Sequence, residues 1–136
     1  MAIDKKEKKM QLKHVGLVCR SEHNSDRFYE NLLGLKKVGS KMVPGDLSRQ
    51  VFNLDSEYKI VNYANDKIHF EIFIDAYRTY DDKRIEHICL EFEDLEAFLV
   101  NCQQMSVTIL KIHRGDAVLT FVRDFDGNLF ELKEKR

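Results

Sequence analysis

Tryptophan is missing from this 136-residue chain, so any binding pocket lacks its largest stacking surface. Long apolar runs are missing too: none approaches the roughly 18 to 20 residues of a membrane span. The start of the chain, with Lys5-Lys6-Glu7-Lys8-Lys9, has no apolar core of an export signal and reads as a solvated, flexible tail over residues 1–11. Neither sign of charge dominates, with 22 Lys and Arg against 23 Asp and Glu. Nothing in that balance points to nucleic acid or an anionic membrane as partner. Cysteine is scarce. Cys19, Cys89 and Cys102 are odd in number, widely spaced and without a Cys-x-x-Cys pair. That argues against a thiolate zinc site and fits reduced thiols in a cytoplasmic protein.

What is present is a pattern that occurs twice. His14-Val15-Gly16-Leu17-Val18 and His87-Ile88-Cys89-Leu90-Glu91 each open a strand that leads into a helical pattern. Each half then closes on a strand of one design, Phe70-Glu71-Ile72 and Phe130-Glu131-Leu132. Between them the alternation and punctuation predict strands over 12–19, 36–43, 58–63 and 67–74, and helices over 26–33 and 46–54. The second half repeats the order: strands over 85–92, 107–112, 117–123 and 128–133, and a helix over 94–105 capped by Asp94. Gly34 stops the first helix, Pro44-Gly45 breaks the second strand, and Asp126-Gly127 is a hairpin signal. The fold class is therefore α+β: two βαβββ modules, about 12–75 and 85–134, with a polar linker at 76–84. Together they form one domain over 12–136, a cup-shaped mixed sheet with helices packed outside.

Strand parity then places the polar residues. Val15, Leu17, Cys19, Phe70, Ile72, Ile88, Leu90, Phe92, Phe130 and Leu132 take the helix side. His14, Glu71, His87 and Glu131 all fall on the opposite face. Two imidazoles and two carboxylates on a cup's inner face are a donor set for one divalent ion, with zinc or nickel the first expectation and iron, manganese or cobalt also compatible. An octahedral ion would keep open positions for water or substrate oxygens. His69 shares the face of Glu71 and is a candidate to support a ligand or act as a base; its bland alternative is a rim histidine in water. Cys89, Val18 and Glu91 also face the cup. The 44–54 segment has no counterpart in the second half, and it is expected to shape the substrate pocket through Val51 and Phe52.

These residues carry a resemblance. His14-Val15-Gly16-Leu17-Val18, Phe28-Tyr29-Glu30-Asn31-Leu32-Leu33-Gly34-Leu35, Phe70-Glu71-Ile72-Phe73, Glu86-His87-Ile88-Cys89-Leu90-Glu91 and the run from Phe121 to Leu132, with Asp124-Phe125-Asp126-Gly127-Asn128, resemble the vicinal oxygen chelate superfamily over about residues 12–134. That superfamily includes glyoxalase I, methylmalonyl-CoA epimerase, extradiol dioxygenases and the fosfomycin- and bleomycin-resistance proteins. The resemblance implies metal-ligand roles for His14, Glu71, His87 and Glu131, with Glu131 or Glu71 able to release and act as catalytic base. Modules of this kind often complete the cup across a homodimer, and the linker length leaves both pairings open. Glutathione-dependent glyoxalases carry an arginine where this chain has Val18, and the matching residue in the second half is Glu91, an anion. A thiol-conjugate substrate is therefore not expected.

The resulting expectation is a metal-dependent, glyoxalase-like lyase or isomerase. It would move a proton next to a carbonyl of a small oxygenated substrate through a metal-stabilised enediolate or enolate. The alternatives are a ligand-sequestering, resistance-type binding protein and an extradiol-type dioxygenase, the latter opposed by the second glutamate.

Overall fold

The computed structural model describes residues 9–79, 81 and 83–136. Strands β1 (Val15–Cys19), β2 (Lys36–Val43), β3 (Tyr58–Ala64) and β4 (His69–Ile74) form one sheet in the order β1-β4-β3-β2. Strands β5 (His87–Phe92), β6 (Ile109–Arg114), β7 (Ala117–Arg123) and β8 (Leu129–Glu134) form a second in the order β5-β8-β7-β6. In each sheet the first strand runs parallel to the last, and the other pairs are antiparallel. The α+β class and the two βαβββ modules expected from the repeat are thus present. The register repeats as well: Gly16 lies opposite Glu71, and Cys89 opposite Glu131. In both modules the residue two beyond the histidine faces the glutamate.

The first helix departs from its expected form. α1 (Glu22–Ser25) begins four residues before Asp26, because the Ser21 side chain accepts from the Asn24 N–H at 3.1 Å and caps it. The chain then continues as a π-helix, Asp26–Leu32, closed by Leu33 N–H to the Phe28 carbonyl at 2.9 Å. A π-turn is wider, so successive residues rotate less about the axis. The neighbours Phe28 and Tyr29 are both fully buried as a result. Gly34, at φ +76°, ends the helix as expected.

α2 (Gly45–Phe52) occupies the segment absent from the second module, and α3 (Leu95–Gln104) is capped by Asp94 through Ala97 N–H. Two expected boundaries move for local reasons. Ser106 adopts φ +59°, and Val107 N–H returns to the Cys102 carbonyl at 2.8 Å, so β6 starts at Ile109 rather than 107. Asn65 accepts from the Lys67 and Ile68 N–H groups, which delays β4 to His69. The Asp126-Gly127 signal marks no tight two-residue hairpin. Residues 124–128 form a longer loop, organised by the Asp124 carboxylate accepting from Asp126 and Asn128 N–H. Most of the expected tail, and Tyr80 and Asp82 of the expected linker, lie outside the described residues.

Both sheets turn their apolar faces to one core. Phe28 sits 5.3 Å from Phe130, and Tyr29 sits 5.2 Å from Phe70, centroid to centroid, so one helical segment packs across both modules. Core membership follows the expected parity: Cys19, Phe70, Ile72, Phe130 and Leu132 are buried, with Val15, Leu17, Ile88, Leu90 and Phe92 packed against them. No helix among the described residues is long and apolar enough to cross a membrane.

Candidate metal and substrate site

The faces turned away from the core carry the candidate ligands as two separate pairs. His14 immediately precedes β1, and β1 runs beside β4, which carries Glu71; the His14 Nε2 lies 3.1 Å from the Glu71 Oε1. The second module repeats the arrangement more loosely, with the His87 Nε2 3.7 Å from the Glu131 Oε1. Glu71 and Glu131 are each largely shielded, whereas the two imidazoles are about half exposed. The His87 ring is already oriented. Its Nδ1 donates to the Ile85 carbonyl at 2.8 Å, which turns the Nε2 edge towards Glu131.

The four residues do not gather into one centre within a chain. Among the described residues, no group of three or more His, Cys, Asp or Glu side chains is placed to hold an ion. Each module brings together one imidazole and one carboxylate, two of the four or more donors a divalent ion takes. The donor chemistry fits a zinc-, nickel- or iron-type ion when two halves face each other, and a single half falls short of the usual four or more ligands.

The flanking residues sort differently from expectation. His69 packs its ring 5.8 Å from that of His14 but donates through Nε2 to Asn62 Oδ1 at 2.7 Å, not to Glu71. Asn62 lies directly opposite Glu71 in the β3–β4 register. Strand alternation alone puts it on the Tyr58-Ile60-Asn62 face, a signal in the sequence, yet it is not among the expected site residues. Cys89 and Glu91 are exposed and border a groove of about 410 Å³ that also touches His14 and His69, where the starts of the modules meet. Burial, then the Glu131 charge, raise the Cys89 thiol pKa.

A separate cavity of about 260 Å³ lies beside the first pair, lined by Val18, Phe52, Leu54, Tyr58 and Phe73, with Gly16, Asp75 and Arg78. The end of α2 therefore does reach the face of Glu71, through Phe52 against Phe73 at 5.4 Å. Val51, expected beside it, is absent from the cavity wall and points to solvent at 61% exposure. On a helix, adjacent residues face about 100° apart, and with Phe52 turned to the cavity Val51 takes the outward side. In the second module, Leu110 pairs with Phe121 and Ile112 with Leu119, leaving an apolar strip on the face of Glu131. Leu110, Ile112 and Leu119 are exposed there.

A second set of residues ties the modules together. Asp124 is 6% exposed and its Oδ2 accepts from Tyr29 Oη at 2.7 Å, from Asn128 Nδ2 at 2.7 Å and from Cys19 Sγ at 3.5 Å. Asn128 Nδ2 also donates to the Val18 carbonyl at 2.9 Å, and Arg20 Nε to Asp126 Oδ1 at 2.8 Å. Burial first, and then Asp124, push the Tyr29 phenol and the Cys19 thiol far up. Both are therefore neutral donors to a carboxylate.

Comparison with known proteins supports the same architecture. The sequence profile of the Glyoxalase/Bleomycin resistance protein/Dioxygenase superfamily matches residues 11–132. No protein with a curated description matches in sequence. Among solved structures, a glyoxalase family protein from Enterococcus faecalis superposes with a TM-score of 0.71 at 17% identity, over 91% of this chain and 97% of that one. The trypanothione-dependent glyoxalase I of Leishmania major gives 0.68 at 20% identity, over 93% and 87%. The fosfomycin resistance protein FosX of Listeria monocytogenes gives 0.67 at 18% identity, over 95% and 94%. At these identities the structures share the fold. With the profile spanning nearly the whole chain, the protein belongs to the Glyoxalase/Bleomycin resistance protein/Dioxygenase superfamily.

Proposed function

We propose that this protein is a metal-dependent lyase or isomerase of the glyoxalase type, working as a homodimer. Its site would be formed by His14 and Glu71 of one chain and His87 and Glu131 of a second. The observation that carries the reading is the matched pair of half-sites: the same two side chains, in the same register, on the same non-core face of both sheets. Two features support the dimer. Neither half completes a ligand set alone, and the apolar strip of Leu110, Ile112, Leu119 and Phe121 beside Glu131 offers a surface for the partner's first sheet. A divalent cation held there would supply a Lewis acid that polarises a substrate carbonyl and lowers the cost of removing the neighbouring proton.

The chain's own groups would do the rest. The hydrogen bond from His87 Nδ1 to Ile85 orients the imidazole with its Nε2 edge towards Glu131, the edge that would bind a cation. Glu131 and Glu71, shielded yet on the cup face, are the candidate bases that take the proton from one carbon and return it to its neighbour. Covering the two faces against each other would exclude water from that transfer.

Protein purified without added metal should contain close to one divalent ion per chain. Glu131→Gln and His87→Ala should each lower the metal content at least tenfold in affinity. A metal-free protein whose stability is unchanged by zinc, nickel, iron(II), manganese or cobalt would reject the proposal. The second reading is a binding protein without turnover, favoured by the aromatic wall of Phe52, Phe73 and Tyr58. Tight uptake of a planar ligand, unchanged on recovery, would select it.

A further inference from the structure

The two His–Glu pairs have unlike neighbours, and the difference lies in the row of residues beside each glutamate. Residues directly opposite one another in adjoining strands share a face. On the first sheet one such row crosses β1, β4, β3 and β2 as Gly16, Glu71, Asn62 and Gly39. On the second sheet the matching row is Cys89, Glu131, Phe121 and Leu110. Two residues before the glutamate stands His69 in the first module and Leu129 in the second. Glu71 therefore has an amide and an imidazole beside it where Glu131 has a phenyl ring and an isobutyl group.

Asn62 is tied down on one side. The His69 Nε2 lies 2.7 Å from its Oδ1. A carbonyl oxygen can only accept, so the ring donates to it and the two N–H groups of Nδ2 remain. Among the described residues no side chain or backbone group accepts from them. The ends of the row leave them uncovered as well. Gly16 and Gly39 flank the Glu71–Asn62 pair, and a Cβ added at Gly39 would meet nothing within 4 Å. The result is a bare stretch of sheet on which one carboxylate and one half-buried, unengaged amide lie side by side.

Resting on the metal-centre reading above, we infer that Asn62 binds the substrate: its Nδ2 donates to a substrate oxygen beside the metal, on which negative charge gathers as the proton leaves its carbon. His69 acts through Asn62 as a positioning residue. Its bond to Oδ1 keeps the amide from turning its oxygen, which would repel an oxyanion, towards the ligand. Phe121 and Leu129 carry no donor, so the oxygen-bearing side of the substrate belongs on the first sheet and its carbon side on the second. The selectivity that follows is for an oxygen acceptor at that position.

Acetohydroxamate, an anionic chelator with two adjacent oxygens, and imidazole, which binds a metal through nitrogen alone, separate the terms. Each would be titrated by calorimetry into the zinc-loaded protein. Asn62→Leu should weaken acetohydroxamate about tenfold to a hundredfold, the worth of a hydrogen bond to a charged oxygen, with imidazole affinity and zinc content within about threefold of the unaltered protein. His69→Leu, which copies Leu129 of the second module, should weaken acetohydroxamate about threefold to tenfold alone, and less than about twofold in the Asn62→Leu background. In zinc-loaded, ¹⁵N-labelled protein the Asn62 side-chain amide should shift as acetohydroxamate is added, a readout that depends on no variant. Acetohydroxamate affinity unchanged by Asn62→Leu, equal losses for both probes, or an Asn62 amide that does not shift overturns the inference and leaves the metal centre standing. So does zinc-loaded protein that fails to bind acetohydroxamate. Protein that takes up no zinc or other divalent ion ends the metal-centre reading, and this inference with it.

Discussion

Asp124 is the residue on which the two modules turn. Its carboxylate accepts five hydrogen bonds, two from backbone N–H of its own loop and three from Tyr29, Asn128 and Cys19. Asp124→Asn keeps the shape but places an amide donor against donors or removes an acceptor from the loop. It should cost about 2–4 kcal/mol, because a buried polar group is left unmatched. Tyr29→Phe removes one of these bonds and should cost about 1–2 kcal/mol. Urea titration of both variants against the unaltered protein reads these values directly. The cysteines offer an independent check at the same scale. Cys89 is exposed whereas Cys19 and Cys102 are buried, and burial pushes the Cys102 thiol up to about 11. Folded protein should therefore lose at most one thiol to a thiol-specific reagent at neutral pH, and three only after unfolding. Rapid loss of two or more from folded protein would contradict the burial described.

At the scale of elements, α1 is tied to the first sheet by charge. Glu22, in its first turn, meets Lys37 of β2 and Lys59 of β3, and Asp26 meets Lys37 as well. Hydrogen bonds from Lys37 and then Lys59 hold the Glu22 carboxyl below the ordinary glutamate value of 4.5. A carboxyl with a depressed folded-state pKa stabilises the protein above its unfolded pKa, and that contribution disappears as pH falls through the folded value. Glu22→Gln should thus cost under about 1 kcal/mol near pH 7, since the cluster is partly solvated. The difference between the two proteins in thermal unfolding should shrink as pH falls below the ordinary glutamate value of 4.5. A difference that stays constant from pH 7 to pH 3 would show that the charge is not what Glu22 contributes. The helix that bears it was only partly legible beforehand. Phe28, Leu32 and Leu33 announced an apolar face and Gly34 its end, but the π-turn that buries Phe28 and Tyr29 together depends on contacts with Phe70 and Phe130 from two different sheets. α2 was legible as a helix from its spacing. Which of Val51 and Phe52 faces the cavity depended on how the helix settles over β3 and β4.

For the whole molecule, the proposed shared centre makes a prediction that a site within one chain cannot meet. His14→Ala and His87→Ala each break every site of a homodimer. Mixed and allowed to exchange, half of the dimers become heterodimers, each with one site assembled from unaltered halves. Metal stoichiometry should then recover to about a quarter of the unaltered value by the geometry of a two-fold dimer. No recovery after verified exchange would place the site, if any, within one chain. Metal should also favour association, since an ion bound across two chains stabilises the dimer by mass action; sedimentation with and without chelator measures it.

Local pattern alone carried the repeat, the parity of both faces and the identity of the four candidate ligands, because side-chain alternation along a strand is a property of the strand itself. It put all four on one face around a single ion, whereas β1 beside β4 and β5 beside β8 bring them together as two separate pairs. It could not show that one chain holds the two His–Glu pairs apart, since the placement of one sheet against another rests on long-range packing around Phe28 and Tyr29 and on the Asp124 loop. Nor could it find the cavity, whose walls Val18, Phe52, Tyr58 and Phe73 come from four separate elements. Neighbours along the chain report their own geometry, and only the folded molecule brings such distant walls around one space.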